Sequence, residues 1–97
     1  MSLTGKQKLY LRALAQHRRV IVTLGNAGLT DAVLGEIDQA LKRHELLKIR
    51  LPAIPREERN DILTNVAKSL AADLIQYIGR VGVFYRRAEK PKITFEM

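Results

Sequence analysis

The segment Gly25-Asn26-Ala27-Gly28 is where the backbone of this chain could itself do chemistry. A Gly-X-X-Gly turn that closes a strand and opens a capped helix gathers unpaired N–H groups at one point. The positive end of the helix dipole lies behind them. Without Cβ atoms, such a turn lets a sugar–phosphate backbone approach the main chain closely. The same two glycines also serve as plain turn chemistry. A dinucleotide fingerprint would need a third glycine and an acidic residue after the next strand, and the sequence has neither. The Walker pattern is absent as well.

Other chemistry finds few residues. There is no cysteine, hence no disulfide, thiolate ligand or thiol nucleophile. His17 and His44 have no helical or hairpin spacing to each other and sit among basic residues near expected helix ends, where they complement the dipole. Asp31, Glu36 and Asp38 lie outside the apolar stripe of their helix and read as solvated charges. No catalytic residue, metal ligand or cofactor site is expected, and the chain is not expected to be an enzyme.

The net charge is +7. It is concentrated at the two ends of the chain. Lys6, Lys8, Arg12, Arg18 and Arg19 precede the first acid, and Arg80, Arg86, Arg87, Lys90 and Lys92 are interrupted by Glu89 alone. Most acids fall between Asp31 and Asp61. A polyanion-binding face explains this asymmetry, because each cation that meets a phosphate releases counterions. A solubilising surface charge is the plainer alternative. No apolar run approaches a membrane span. The basic, acid-free stretch from Lys6 to Arg19 could pass for a mitochondrial presequence, but its apolar positions fit a core-facing helix, so a cytoplasmic location is expected.

These residues need elements to position them. Thr4 and Gln7 have capping-box spacing, which starts a helix running to about Gln16. Leu3, Tyr10, Leu11 and Leu14 share one side, Lys8 and Arg12 lie nearly opposite, and Leu9 points toward the basic side. Val20-Ile-Val-Thr-Leu24 reads as a buried strand. Thr30 caps a second helix with a Val33, Ile37, Ala40 and Leu41 stripe, and Leu29 and Leu34 have staple spacing. Leu46 to Leu51 alternates as a half-solvated strand with Lys48 and Arg50 on its polar face. After Pro52 and Pro55, Ile62, Val66 and Leu70 mark a third helix. Leu74–Ile78 and Val81–Arg86 flank Gly79-Arg80, whose Gly-X loop suits a type II′ hairpin. Tyr77, Phe84 and Tyr85 are core residues by default, although a solvent-facing Tyr85 could stack on a base. Residues 88–97 look like a basic tail that Ile93 and Phe95 could anchor. The order αβαβαββ implies one domain over residues 1–97, α/β or α+β in class, with a mixed sheet of about four strands and three helices.

Leu3-Thr4 with Lys6-Gln-Lys8, the loop Leu24-Gly-Asn-Ala-Gly-Leu-Thr30, the run His44-Glu-Leu-Leu-Lys-Ile49, and Ile78-Gly-Arg80 with Phe84-Tyr-Arg86 together resemble the CRM domain (chloroplast RNA splicing and ribosome maturation). Within that family the chain is similar to the bacterial single-domain YhbY type. The resemblance implies a fold like the C-terminal domain of bacterial translation initiation factor 3. It also implies association with precursors of the large ribosomal subunit; plant relatives act in group II intron splicing. By position it makes Gly25, Asn26, Ala27 and Gly28 the RNA-binding loop, flanked by the basic first helix, with Lys48 and Arg86 at motif positions. Many such loops carry a basic residue, whereas Asn26 and Ala27 are neutral, which shifts the electrostatic work to Lys8, Arg12, Arg18 and Arg19.

The expectation is a monomeric RNA-binding accessory factor for large-subunit assembly, with no membrane or small-molecule ligand. The alternative is a protein-interaction module that docks on a ribosomal protein. If the first helix runs back along the sheet, Lys6 and Lys8 join the loop in one patch, while Arg18 and Arg19 lie about 20 Å away at the other end of the strand.

Overall fold

Thr4 accepts a hydrogen bond from the Gln7 backbone N–H at 3.1 Å, and the Gln7 side chain accepts one from the Thr4 N–H at 2.9 Å. This reciprocal cap opens α1 (Gly5–Ala15) in the computed structural model, which describes residues 3–95. The remaining elements follow as β1 (Val20–Thr23), α2 (Asp31–His44), β2 (Leu46–Arg50), α3 (Arg56–Ser69), β3 (Asp73–Ile78) and β4 (Val81–Tyr85). They form a mixed four-stranded sheet in the order β1-β2-β4-β3 with three helices, an α/β fold.

Only β1 and β2 pair in parallel; β4 inserts antiparallel between β2 and β3. The α3 crossover therefore returns the chain to the far edge and leaves the centre for the last strand. This makes β1 an edge strand rather than the fully buried one its β-branched composition suggests. Val22 is buried, while Ile21 on the other face is 49% exposed. The hairpin turn also differs from the expected II′ form. Gly79 and Arg80 have φ values of 56° and 62°, and positive φ at both central positions defines type I′, whose twist matches the strands it joins.

Apolar side chains fill both faces of the sheet. On one face, Ile37 and Leu41 of α2 and Leu63 and Val66 of α3 pack on Val22, Leu47, Ile49 and Phe84. On the other, Leu11 and Ala15 of α1 pack on Leu46, Ile75, Val83 and Tyr85. The face of β2 that carries Lys48 is thus half covered instead of solvated. Leu9 is 64% exposed, on the basic side of α1 as its position requires.

The tail is docked. Ile93 is buried in the α1-side core, and the Phe95 ring meets Tyr10 and Tyr85 edge-on at centroid distances of 5.7 and 6.0 Å. Glu45, the C-cap of α2 with φ 62°, is fully buried. Its carboxylate accepts hydrogen bonds from the backbone N–H groups of Ala88, Lys92 and Ile93 at 2.9, 2.6 and 2.8 Å. Residues 96 and 97 of the expected tail lie outside the described residues.

Candidate nucleic-acid interface

The Gly-X-X-Gly loop is pinned to the sheet just before it begins. Leu24 is buried, and its N–H donates to the Arg50 carbonyl at 2.9 Å, so the loop leaves the sheet beside the end of β2. The Gly28 N–H donates to the Gly25 carbonyl at 3.0 Å and closes a turn in which Gly28 has φ 73°. A side chain at Gly28 would be strained by that backbone conformation. Gly25 is different. Its φ is not positive, and a Cβ there would meet nothing within 4 Å. Neither conformation nor packing inside the chain demands glycine at 25, as is also true of Gly5 and Gly35, but at the loop a bare backbone leaves room for close approach from outside. Asn26 and Ala27 are exposed. Thr30 accepts from the Val33 N–H at 3.2 Å and aims the first turn of α2 at the loop, where Asp31 takes up part of the helix field.

At this end Arg12 and Arg80, one from each basic end of the sequence, are joined by Arg50 from its middle. Arg50 pairs in register with Thr23 and with Val81, is exposed, and lies beside the strand that delivers the loop. Arg80 occupies the adjacent hairpin turn, where its carbonyl accepts from the Leu51 N–H at 2.7 Å. Arg12 and Gln16 at the C-terminal end of α1 border a groove that reaches Arg50 and Ile78. The alternation of β2 already places Arg50 on its polar face. Its proximity to Arg80 depends on β4 entering the centre of the sheet, which no local pattern reveals.

The two lysines at the start of α1 move the other way. Leu3, Thr4 and Gln7 line a cavity with Ala71, Asp73, Arg87 and Phe95, at the end of the sheet where β3 begins and β4 stops. α1 therefore points its N-terminus away from Gly25, and Lys6 and Lys8, though exposed, do not share a patch with the loop. The reason is apolar: Tyr10 and Leu3 pack beside Phe95 and Tyr85 and fix the direction of the helix.

Three further candidates are engaged within the fold. The Lys48 ammonium donates to the carbonyls of Ala15 and Arg18 at 2.9 and 3.3 Å and so caps the C-terminus of α1. The Arg18 guanidinium reaches the carbonyls of His44 and Leu46 at 3.4 Å, at the far end of β1 as its distance along the strand requires, with exposed Arg19 beside it. Arg86 donates to Asp38 Oδ1 at 2.8 Å, to the Leu70 carbonyl at 3.0 Å and to the Asp38 carbonyl at 3.0 Å, which ties α2 to the end of α3. The Arg86 hydrogen bond holds the Asp38 carboxyl below its ordinary pKa against the opposing effect of desolvation, and Lys42 adds to the lowering. Tyr85 is 4% exposed and packs in the core, so it offers no face to a base. Burial, with Glu45 nearby, raises its hydroxyl pKa.

The chain can be set beside known proteins. An RNA-binding protein of Haemophilus influenzae is 40% identical over 92 residues, covering 95% of this chain and 93% of that protein. A Bacillus subtilis protein whose name also carries RNA binding is 34% identical, covering 93% of this chain and 94% of its own length. The solution structure of a Staphylococcus aureus protein, described as a candidate RNA binder, superposes with a TM-score of 0.81 at 31% identity. It covers 94% of this chain and 95% of that one. Residues 3–86 match the family profile of the CRS1 / YhbY (CRM) domain, and the chain belongs to that family.

Proposed function

We propose that this protein is a non-enzymatic RNA-binding factor that grips the sugar–phosphate backbone at Gly25–Gly28, with Arg50, Arg80 and Arg12 supplying the charge. The observation that carries this reading is Gly25, a glycine that neither its own backbone nor its neighbours require, at the mouth of a loop whose Gly25, Asn26 and Ala27 N–H groups find no backbone partner among the described residues. The names of the relatives support RNA as the partner. The finer role, association with precursors of the large ribosomal subunit by a monomer in the cytoplasm, follows the family resemblance. Docking on a ribosomal protein is the competing reading, and binding to particles that survives ribonuclease would favour it.

The test is a double substitution, Asn26→Asp with Ala27→Asp. It puts two carboxylates where a phosphate would sit and leaves both glycines in place. RNA affinity is expected to fall at least about tenfold, roughly 1.4 kcal/mol, with the circular dichroism spectrum and melting temperature unchanged. A folded double variant that binds RNA normally would remove the loop from the interface.

A further inference from the structure

Beyond the end of α1 the sheet is left partly bare. The helix stops at Ala15, and the Lys48 ammonium holds its last carbonyls. The strand register then builds a row across the uncovered end of this face, with Thr23 beside Arg50, Arg50 beside Val81 and Val81 beside Ile78. Ile78 is 66% exposed, the most open large apolar side chain of the described residues. The groove over this row has a volume of about 290 Å³. Apolar Val81 and Ile78 line it together with polar Arg12, Gln16, Arg50 and Gln76. Among the described residues the two glutamines make no side-chain hydrogen bond. Arg12 makes only a long one, 3.4 Å to the Ile75 carbonyl.

We propose that this groove receives a single unstacked nucleobase, so that the protein holds single-stranded RNA by backbone and base together. The inference rests on the RNA reading above and names the form of RNA. A nucleobase has two apolar faces and an edge of donors and acceptors, which matches a lining that sets Val81 and Ile78 beside the carboxamides of Gln16 and Gln76. A bare phosphate gains nothing from Val81 and Ile78. The flanking arginines suit an occupant that carries its own negative charge. Arg50 joins the groove to the strand that delivers the loop, since it pairs with Thr23. Thr23, at the β1 end of the row, is two residues from Gly25, about 7 Å at the rise of a strand. A phosphate on the loop and a base in the groove therefore fit within one short stretch of strand. The volume lies at the small end of ligand clefts, about 300–1,000 Å³, and suits one ring system. A base inside a duplex shows only its edge and cannot enter.

The test compares three RNAs on the full chain: a uridine hexanucleotide, an abasic strand of the same length, and a duplex of that length. Each is titrated against wild type, Ile78→Ser and Gln76→Ala, with melting temperatures confirming that the variants fold. Wild type is expected to bind the hexanucleotide about tenfold tighter than the abasic strand or the duplex. Ile78→Ser should erase that preference and leave abasic affinity unchanged; Gln76→Ala should reduce it. Equal affinity of wild type for the hexanucleotide and the abasic strand would overturn the groove while leaving the backbone grip standing. So would a preference that persists in both folded variants. Failure of wild type to bind any RNA would remove the backbone grip and the groove with it. Loss of a co-purifying protein in Ile78→Ser, with all RNA affinities unchanged, would assign the groove to a protein contact and overturn the proposal.

Discussion

Lys48 and Arg86 show how a basic residue at a motif position can belong to the fold. Each makes charge-assisted hydrogen bonds to carbonyl groups at the end of a helix, and such bonds are worth about 1.5–3 kcal/mol apiece. Removing either cation would weaken RNA binding only by loosening the fold, so a binding assay on these variants needs a stability control. Asp38 gives this cluster a pH signature. Its pKa is lowered in the folded state, so its contribution is complete above the ordinary carboxylate value, about 3.9, and is lost as pH falls through the folded value. Asp38→Asn is therefore expected to be less stable than wild type at neutral pH. The gap should narrow as urea unfolding is repeated below about pH 4. A gap independent of pH would mean that Arg86 does not hold the carboxylate. Neither partner pairing was legible in the sequence, because Arg86 and Asp38 meet only when β4 and α2 are both in place.

At the scale of elements, the local signals were strong and the long-range ones weak. The caps at Thr4 and Thr30, the Ile37 and Leu41 stripe and the alternation of β2 are chemistry within a turn or a strand, and each appears in the structure. The direction of α1 depends on the tail, whose Phe95 and Ile93 sit beside Tyr10 and Leu11 from the other end of the chain. That contact is silent in a periodicity analysis, and it reverses which end of the helix lies near the loop. The place of Arg50 and Arg80 beside the loop was hidden for the same reason, since β4 brings their strands together from distant parts of the sequence. The tail is thus a structural element. Truncation before Ala88 takes Ile93 out of the core and three backbone donors away from Glu45. The expected loss is about 2–4 kcal/mol of unfolding free energy in urea. A truncated chain as stable as the full one would mean that the tail does not hold α1.

At the scale of the whole molecule, 39 Å long and 24 Å across, the two ends of the sheet carry different cations. The loop end has Arg50 and Arg80; the opposite end has Arg18, Arg19, Arg87 and the tail lysines. A short single strand should engage the first end only. Replacing Arg50 and Arg80 by Ala should flatten its log affinity against log salt by about 1.4, two contacts at about 0.7 each, whereas replacing Lys6 and Lys8 should leave the slope unchanged. Long structured RNA should register both ends. The most direct test of the loop-end grip is to titrate a short single-stranded RNA into isotope-labelled protein and follow the backbone amide resonances. The shifts are expected at residues 23–30, at Arg50 and across 78–81, with Lys6, Lys8 and Arg18 still. Shifts gathered instead on the first half of α1 and on residues 86–92, with Gly25 and Gly28 unmoved, would contradict it.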